Sequence, residues 1–255
     1  MVKYYNSNAL YDYITEEEIE NFTFTSGNLW QLVYGDANCE PKLLAVVSGV
    51  QNDDLESATT VAENEACRLL SIISNSKDVP LIFIRFIIDA SEVSQVLIFE
   101  HGEERYEIIG MNELKQRFRE AGLEVTNSST TKYLNDATSS AYHKWQRNNL
   151  GRNITVADFD LWRLDEEKKP LEVHELKRSY YSLDRWEPFK DDYSNFSLLD
   201  NTLKGLDIDF KIVYNVRTKN PWKDDISRLK IFDVDFNKHP EIEFNETIDL
   251  EDFLE

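Results

Sequence analysis

DFDLWRLDEEKKPLEVHELKRS, residues 158–179, sets two segments of alternating apolar and polar residues on either side of a charged turn. DFDLWRLD and PLEVHELKRS each read as a half-buried strand, with DEEKK joining them into a hairpin. The first segment carries Asp158 and Asp160, the second Glu175 and Lys177. Residues i and i+2 of a strand share a face, so each pair lies on one side of its strand and the hairpin sets the two pairs side by side. Two carboxylates so placed suit Mg2+, with Mn2+ as its substitute, because such hard cations take oxygen ligands and keep several waters. The neighbouring lysine orients or helps deprotonate one of those waters, or offsets the charge that builds on a phosphate under attack.

The same short patterns recur elsewhere, so order and context carry the information. Glu113 and Lys115 repeat Glu-x-Lys at the start of a helix, where i and i+2 diverge around the axis and form no patch. Asp207 with Asp209, and Asp233 with Asp235, repeat Asp-x-Asp, but no Glu-x-Lys strand follows either pair at once.

Outward from the hairpin, SSAYHKWQRNNLG predicts a helix closed by Gly151, and NITVADFDLWRLD a single strand. After the hairpin, YSNFSLLDNTLK spaces Phe196, Leu199 and Leu203 for a helix ended by Gly205, and DIDFKIVYNV reads as a further strand. In the first half, LWQLVYG and KLLAVVSGV predict a hairpin across DANCEP. A helix follows over TTVAENEACRLLSIISN, with Val61, Ala66, Leu69, Leu70 and Ile73 on one face. PLIFIRFII predicts a buried strand, and QVLIFEHGEERYEIIG a hairpin turning at His101 and Gly102. The next helix is capped by Asn112 and stopped by Gly122. The polar TNSSTTKYLNDATSS then marks a boundary.

The expected architecture is therefore α/β, a mixed central sheet flanked by helices. Residues 1–126 form an N-terminal α/β domain for target selection, dimerisation or partner binding, residues 135–238 a second domain, and residues 239–255 an acidic tail. Each half holds a hairpin, a helix and then an apolar strand, which suggests one module used twice, although residue identity between the halves is negligible.

The second half, from about Ser139 to Val216, resembles the core of the PD-(D/E)XK nuclease superfamily, a restriction-endonuclease-like fold. The resemblance rests on the order of a helix, a strand with DFD, a turn, a strand with HELK, an amphipathic helix and an apolar strand. It implies Mg2+-dependent hydrolysis of phosphodiester bonds in DNA, with RNA as the alternative. Carried over by position, the metal-binding aspartate matches Asp160, with Asp158 as its alternative. The acidic partner matches Glu175, the lysine Lys177, and the metal-binding backbone carbonyl Leu176. The family core has one more strand between the first helix and the aspartate strand. Here only GRNITVA is available for it, so that strand is either very short or continuous with the next.

Around this core, His174 and Arg178 fall on the face opposite Glu175, which predicts a packed His174. Tyr181, Arg185 and Trp186 are candidates for contact with an unpaired base, and Arg178, Lys190 and Lys204 for contact with nucleic-acid phosphates. His143 and Gln146 lie on the preceding helix, where the family sometimes directs a polar group toward the metal.

The formal net charge is −20, against the basic footprint usual for a nucleic-acid binder. From residue 141 to 190, however, ten lysines and arginines nearly balance the local acids, and the tail after His239 has no Lys or Arg. The charge motivates a rival expectation, a non-catalytic acidic interaction protein or DNA mimic that keeps a nuclease-like scaffold. Two cysteines, Cys39 and Cys67, support neither a disulfide framework nor a Cys-rich zinc site. The histidines lack zinc spacing, and no Gly-rich phosphate loop or G-x-S-x-G elbow is present. With neither a signal segment nor a spanning apolar run, the expectation is a soluble cytoplasmic protein without membrane contact, acting on nucleic acid alone, as a homodimer, or with a protein partner.

Overall fold

The computed structural model describes residues 8–100, 106–129, 140–220 and 222–255. Along the chain run α1 (Ala9–Glu16), β1 (Phe22–Thr23), β2 (Leu29–Gly35), β3 (Pro41–Val50), α2 (Val61–Lys77), β4 (Leu81–Ile87), β5 (Gln95–Glu100), β6 (Glu107–Gly110) and α3 (Met111–Glu120). They are followed by α4 (Ala141–Asn149), β7 (Thr155–Asp158), β8 (Leu161–Leu164), β9 (Pro170–Ser179), α5 (Tyr193–Leu203), β10 (Asp209–Lys219), β11 (Trp222–Val234), β12 (Ile242–Asp249) and α6 (Leu250–Leu254). Residues 25–158 form one compact unit; residues 8–24 with 159–255 form the other. Each is a mixed α/β unit built on one sheet.

In the first unit the strand order is β7-β2-β3-β4-β5-β6. The hairpin β2–β3 is antiparallel, α2 crosses over, and β4 returns parallel to β3. Buried on both faces, β3 and β4 are near-continuous apolar runs, as parallel strands require. The start of α2 is fixed by a capping box, Thr60 with Glu63. Glu63 also forms a fully buried ion pair with Arg85 of β4, at 2.6 Å. The same guanidinium donates to the carbonyls of Leu55, Ser57 and Ala58, so the chain entering α2 is tied to the sheet.

The second unit has the order β1-β8-β9-β10-β11-β12. Here too an antiparallel hairpin, β8–β9, is followed by a crossover helix, α5, and a parallel strand, β10. β11 and β12 then continue antiparallel, and β1 closes the far edge antiparallel to β8. β7 stands at the matching edge of the first unit, antiparallel to β2. From β2 to β6 and from β8 to β12 the two units share strand order, strand direction and the position of the crossover helix, whereas the edge strand comes last along the chain in the first unit and first in the second.

Several boundaries differ from the sequence reading. The division drawn between residues 126 and 135 falls inside the first unit, because α4 and β7 belong there. The single strand expected over residues 153–165 is two strands in two sheets: Asp158 ends β7, and the chain re-enters a ladder at Leu161 of β8. The helix and first strand of the second unit are instead α1 and β1. Asn8 caps α1 through its side chain, and β1 pairs Phe22 with Arg163. The tail beyond residue 238 is no loose end: β12 pairs with β11, and Phe253 of α6 is buried against Phe22. Val61 is exposed at the start of α2, and Gly110, not Asn112, caps α3. The turn at His101 and Gly102, and most of the polar stretch taken as a boundary, lie outside the described residues. Gly122, Gly151 and Gly205 end their helices with positive φ, and at Gly151 a Cβ would run into Thr126.

Removing either partner of the buried Arg85–Glu63 pair leaves a charge with no solvent and no counterion. Arg85→Met and Glu63→Gln should each cost about 3–5 kcal/mol in urea unfolding. A loss below about 1 kcal/mol, the value of an ordinary surface pair, would contradict this role.

Candidate active site

The ladder between β8 and β9 ends with Leu161 opposite His174, and Asp160, just before it in the chain, reaches the backbone of Leu176. Two hydrogen bonds fix Asp160. Its Oδ2 accepts from the Leu176 N–H at 2.8 Å, and its carbonyl accepts from the Tyr11 hydroxyl of α1 at 2.9 Å.

Glu175 and Lys177 share the face of β9 that meets α5. Glu175 Oε1 lies 2.7 Å from Lys177 Nζ, and the side chains are 8% and 27% exposed, so the pair is open to solvent only from the lysine end. Lys177 also lies 3.9 Å from Asp192 and over the ring of Phe196. Asp192 is the residue at the head of α5, and its side chain makes no capping hydrogen bond. Burial opposes the lysine's charge, but the carboxylates of Glu175 and Asp192, with Asp160 beyond, outweigh it and hold the ammonium well above its ordinary range. Lys177 is therefore a cation at neutral pH.

Asp160, Glu175 and Asp192 thus surround one ammonium in a half-buried corner. Among the described residues, no group of three or more His, Cys, Asp or Glu side chains is placed to hold a metal ion. Mg2+ asks for less: one or two carboxylates suffice when waters and substrate phosphates complete its shell. Asp160 and Glu175, with the Leu176 carbonyl between Glu175 and Lys177, provide an oxygen-only donor set that fits it.

The structure thus gathers Asp160, Glu175, Leu176 and Lys177 and separates other candidates from them. Asp158 sits in the sheet of the first unit, since the break at Phe159 and Asp160 removes the common strand on which its pairing with Asp160 depended. Trp186 is buried, stacked on Tyr214 with centroids 4.1 Å apart, and offers no face to a base. Arg178 is held by Asp224, 2.6 Å away, which also takes Arg217. Lys204 lies at the opposite end of α5 from Asp192, about 18 Å along the helix axis, and donates to Asn237. Lys190, Arg185 and Tyr181 are exposed on the segment between β9 and α5. His174 is buried on the opposite face as expected, 2.7 Å from Glu172 and against Phe22 and Phe253.

Asp192 and Tyr11 went unnoticed in the sequence. Asp192 had a local signal, an acid immediately before the amphipathic helix; Tyr11 had none, because its contact spans most of the chain. A scan against protein-family models finds no match, and no curated protein matches the sequence.

His143 and Gln146 belong to the core of the first unit. Tyr34 donates to Gln146 at 2.7 Å, and His143 sits edge-on to Trp30 with Nδ1 2.8 Å from the Ser140 hydroxyl. Burial pushes the imidazole down to about 4, with Arg147 adding to the effect and Asp158 opposing it. Because this folded value lies below the unfolded value of 6.5, neutral His143 contributes stability that is complete above about pH 6.5 and is lost as pH falls toward 4. His143→Phe should flatten the pH dependence of the urea midpoint across that window. A profile identical to that of the unaltered protein would contradict the assignment.

Proposed function

We propose that the second unit hydrolyses phosphodiester bonds in DNA with Mg2+, or Mn2+ in its place, in the manner of the PD-(D/E)XK nucleases its sequence resembles. The observation that carries this reading is the convergence of Asp160, Glu175 and Lys177 where β9 ends against the head of α5. The order α1, β1, β8, β9, α5, β10 also supports it, since β1 supplies the additional strand that the sequence lacked next to the aspartate.

Asp160 and Glu175 are the cation ligands, together with the Leu176 carbonyl. The bound cation supplies Lewis-acid polarisation of the phosphate and charge neutralisation. Lys177, protonated beside Glu175 and Asp192, donates hydrogen bonds to the attacking water or to a non-bridging phosphate oxygen, and Asp192 holds that ammonium in place. The first unit serves target selection, self-association or partner binding. Neither Cys39 nor Cys67 is in a disulfide, as suits the reducing cytoplasm in which we place the protein. Among the described residues no helix is long and apolar enough to cross a membrane.

The isosteric changes Asp160→Asn and Glu175→Gln, with Lys177→Met, should each lower metal-dependent DNA cleavage by about a hundredfold or more, with chelator abolishing it. Circular dichroism should show each variant folded at the assay temperature. Variants that cleave like the unaltered protein would defeat the assignment. The charge of −20 favours a second reading, an acidic binding protein or DNA mimic. A nuclease binds DNA more weakly as salt rises, whereas a mimic binds none at any salt.

A further inference from the structure

The segment between β9 and α5, residues 180–192, passes beside the candidate site and is pinned from beneath. Trp186 lies flat on Tyr214, with ring planes 2° apart, and Lys230 donates to the Trp186 carbonyl at 2.8 Å. The Tyr214 hydroxyl reaches the Tyr181 carbonyl at 2.6 Å, and the Tyr181 N–H donates to Ser179 Oγ at 3.3 Å. Two turn bonds, from the N–H groups of Arg185 and Trp186 to the Ser182 carbonyl, complete the anchoring.

The same segment turns other aromatic rings outward. Tyr181 is 56% exposed and Phe189 51%, although large aromatic rings are ordinarily buried. Lys219 at the end of β10 lies 4.4 Å from the ring centre of Tyr180. Arg185, Lys190 and Lys219 are exposed among these rings, interleaved with Asp184 and Asp191. Tyr181 is four residues beyond Lys177, at most about 13 Å along the chain, and Phe189 is three residues before Asp192. The backbone that carries Tyr181 is held in place, the exposed rings offer faces on which a flat partner can stack, and the cations between them complement a phosphate backbone.

We propose that this segment is a stacking platform for unpaired bases, so that the substrate is single-stranded DNA or a DNA junction or end with unpaired nucleotides. The inference rests on the nuclease reading and adds its substrate class. Duplex DNA presents its bases stacked inward and gives Tyr181 and Phe189 nothing to hold.

The test is fluorescence anisotropy with full-length protein, in chelator so that nothing is cleaved. The probes are a labelled oligothymidylate, a duplex of equal length and an oligouridylate, with plasmid and single-strand cleavage in Mg2+ measured in parallel. The single strands should bind more tightly than the duplex. Tyr181→Ala and Phe189→Ala should each weaken single-strand binding about tenfold with duplex binding unchanged, and Tyr181→Phe should restore it. Variants that bind the single strand like the unaltered protein, or a preference for duplex, while cleavage persists, would overturn the platform and leave the nuclease reading standing. A protein that neither binds nor cleaves any of the probes would overturn both.

Discussion

Parallel strands cannot be joined by a tight turn, so pairing β9 with β10 obliges the chain to leave the sheet after Ser179, cross in α5 and return. Everything at the candidate site follows from that obligation. The outgoing end of β9 must meet the incoming end of α5, which brings Asp192 to Lys177. The antiparallel neighbour β8 then carries Asp160 to the backbone of Leu176. Open α/β sheets place ligands at such strand ends because side chains from several elements converge there without the sheet having to open.

The first unit shows the same corner put to another use. There β3, α2 and β4 repeat the strand–crossover–strand plan, but its charges are Glu63 and Arg85, fully buried and mutually satisfied. Ser48 of β3 adds a further hydrogen bond to Glu63. Arg85 spends its remaining donors on backbone carbonyls, which leaves a closed structural lock. In the second unit Lys177 faces several carboxylates and keeps a quarter of its side chain in solvent. One arrangement of backbone therefore supports a closed ion pair in one unit and a solvent-accessible charged cluster in the other.

The local features of this design were legible in the sequence. The turn at DEEKK forms as expected, with Asp165 accepting from the backbone N–H of Lys169, and α5 and its glycine stop stand where the spacing put them. What escaped was decided at long range. TVAD and LWRL alternate alike, and no glycine or proline punctuates Phe159 and Asp160, so nothing local reveals that the chain changes sheets there. β1 is two residues long and gains its meaning from Arg163 and Trp162, far along the chain. The acidic end read as a solvated tail because β12 is a largely exposed strand rich in acids, the composition that keeps a sheet edge from pairing with another molecule. The buried ring of Phe253 is the single strong anchor in that stretch, and periodicity cannot assign a partner to one residue.

We propose that Asp160, Glu175 and the Leu176 carbonyl bind a divalent cation. The most direct test is anomalous diffraction from crystals of the protein soaked in Mn2+. The account requires an ordered peak about 2.1 Å from carboxylate oxygens of Asp160 and Glu175, absent from crystals of Glu175→Gln. Mn2+ bound only elsewhere on the acidic surface, with Lys177 still seated on Glu175, would contradict it.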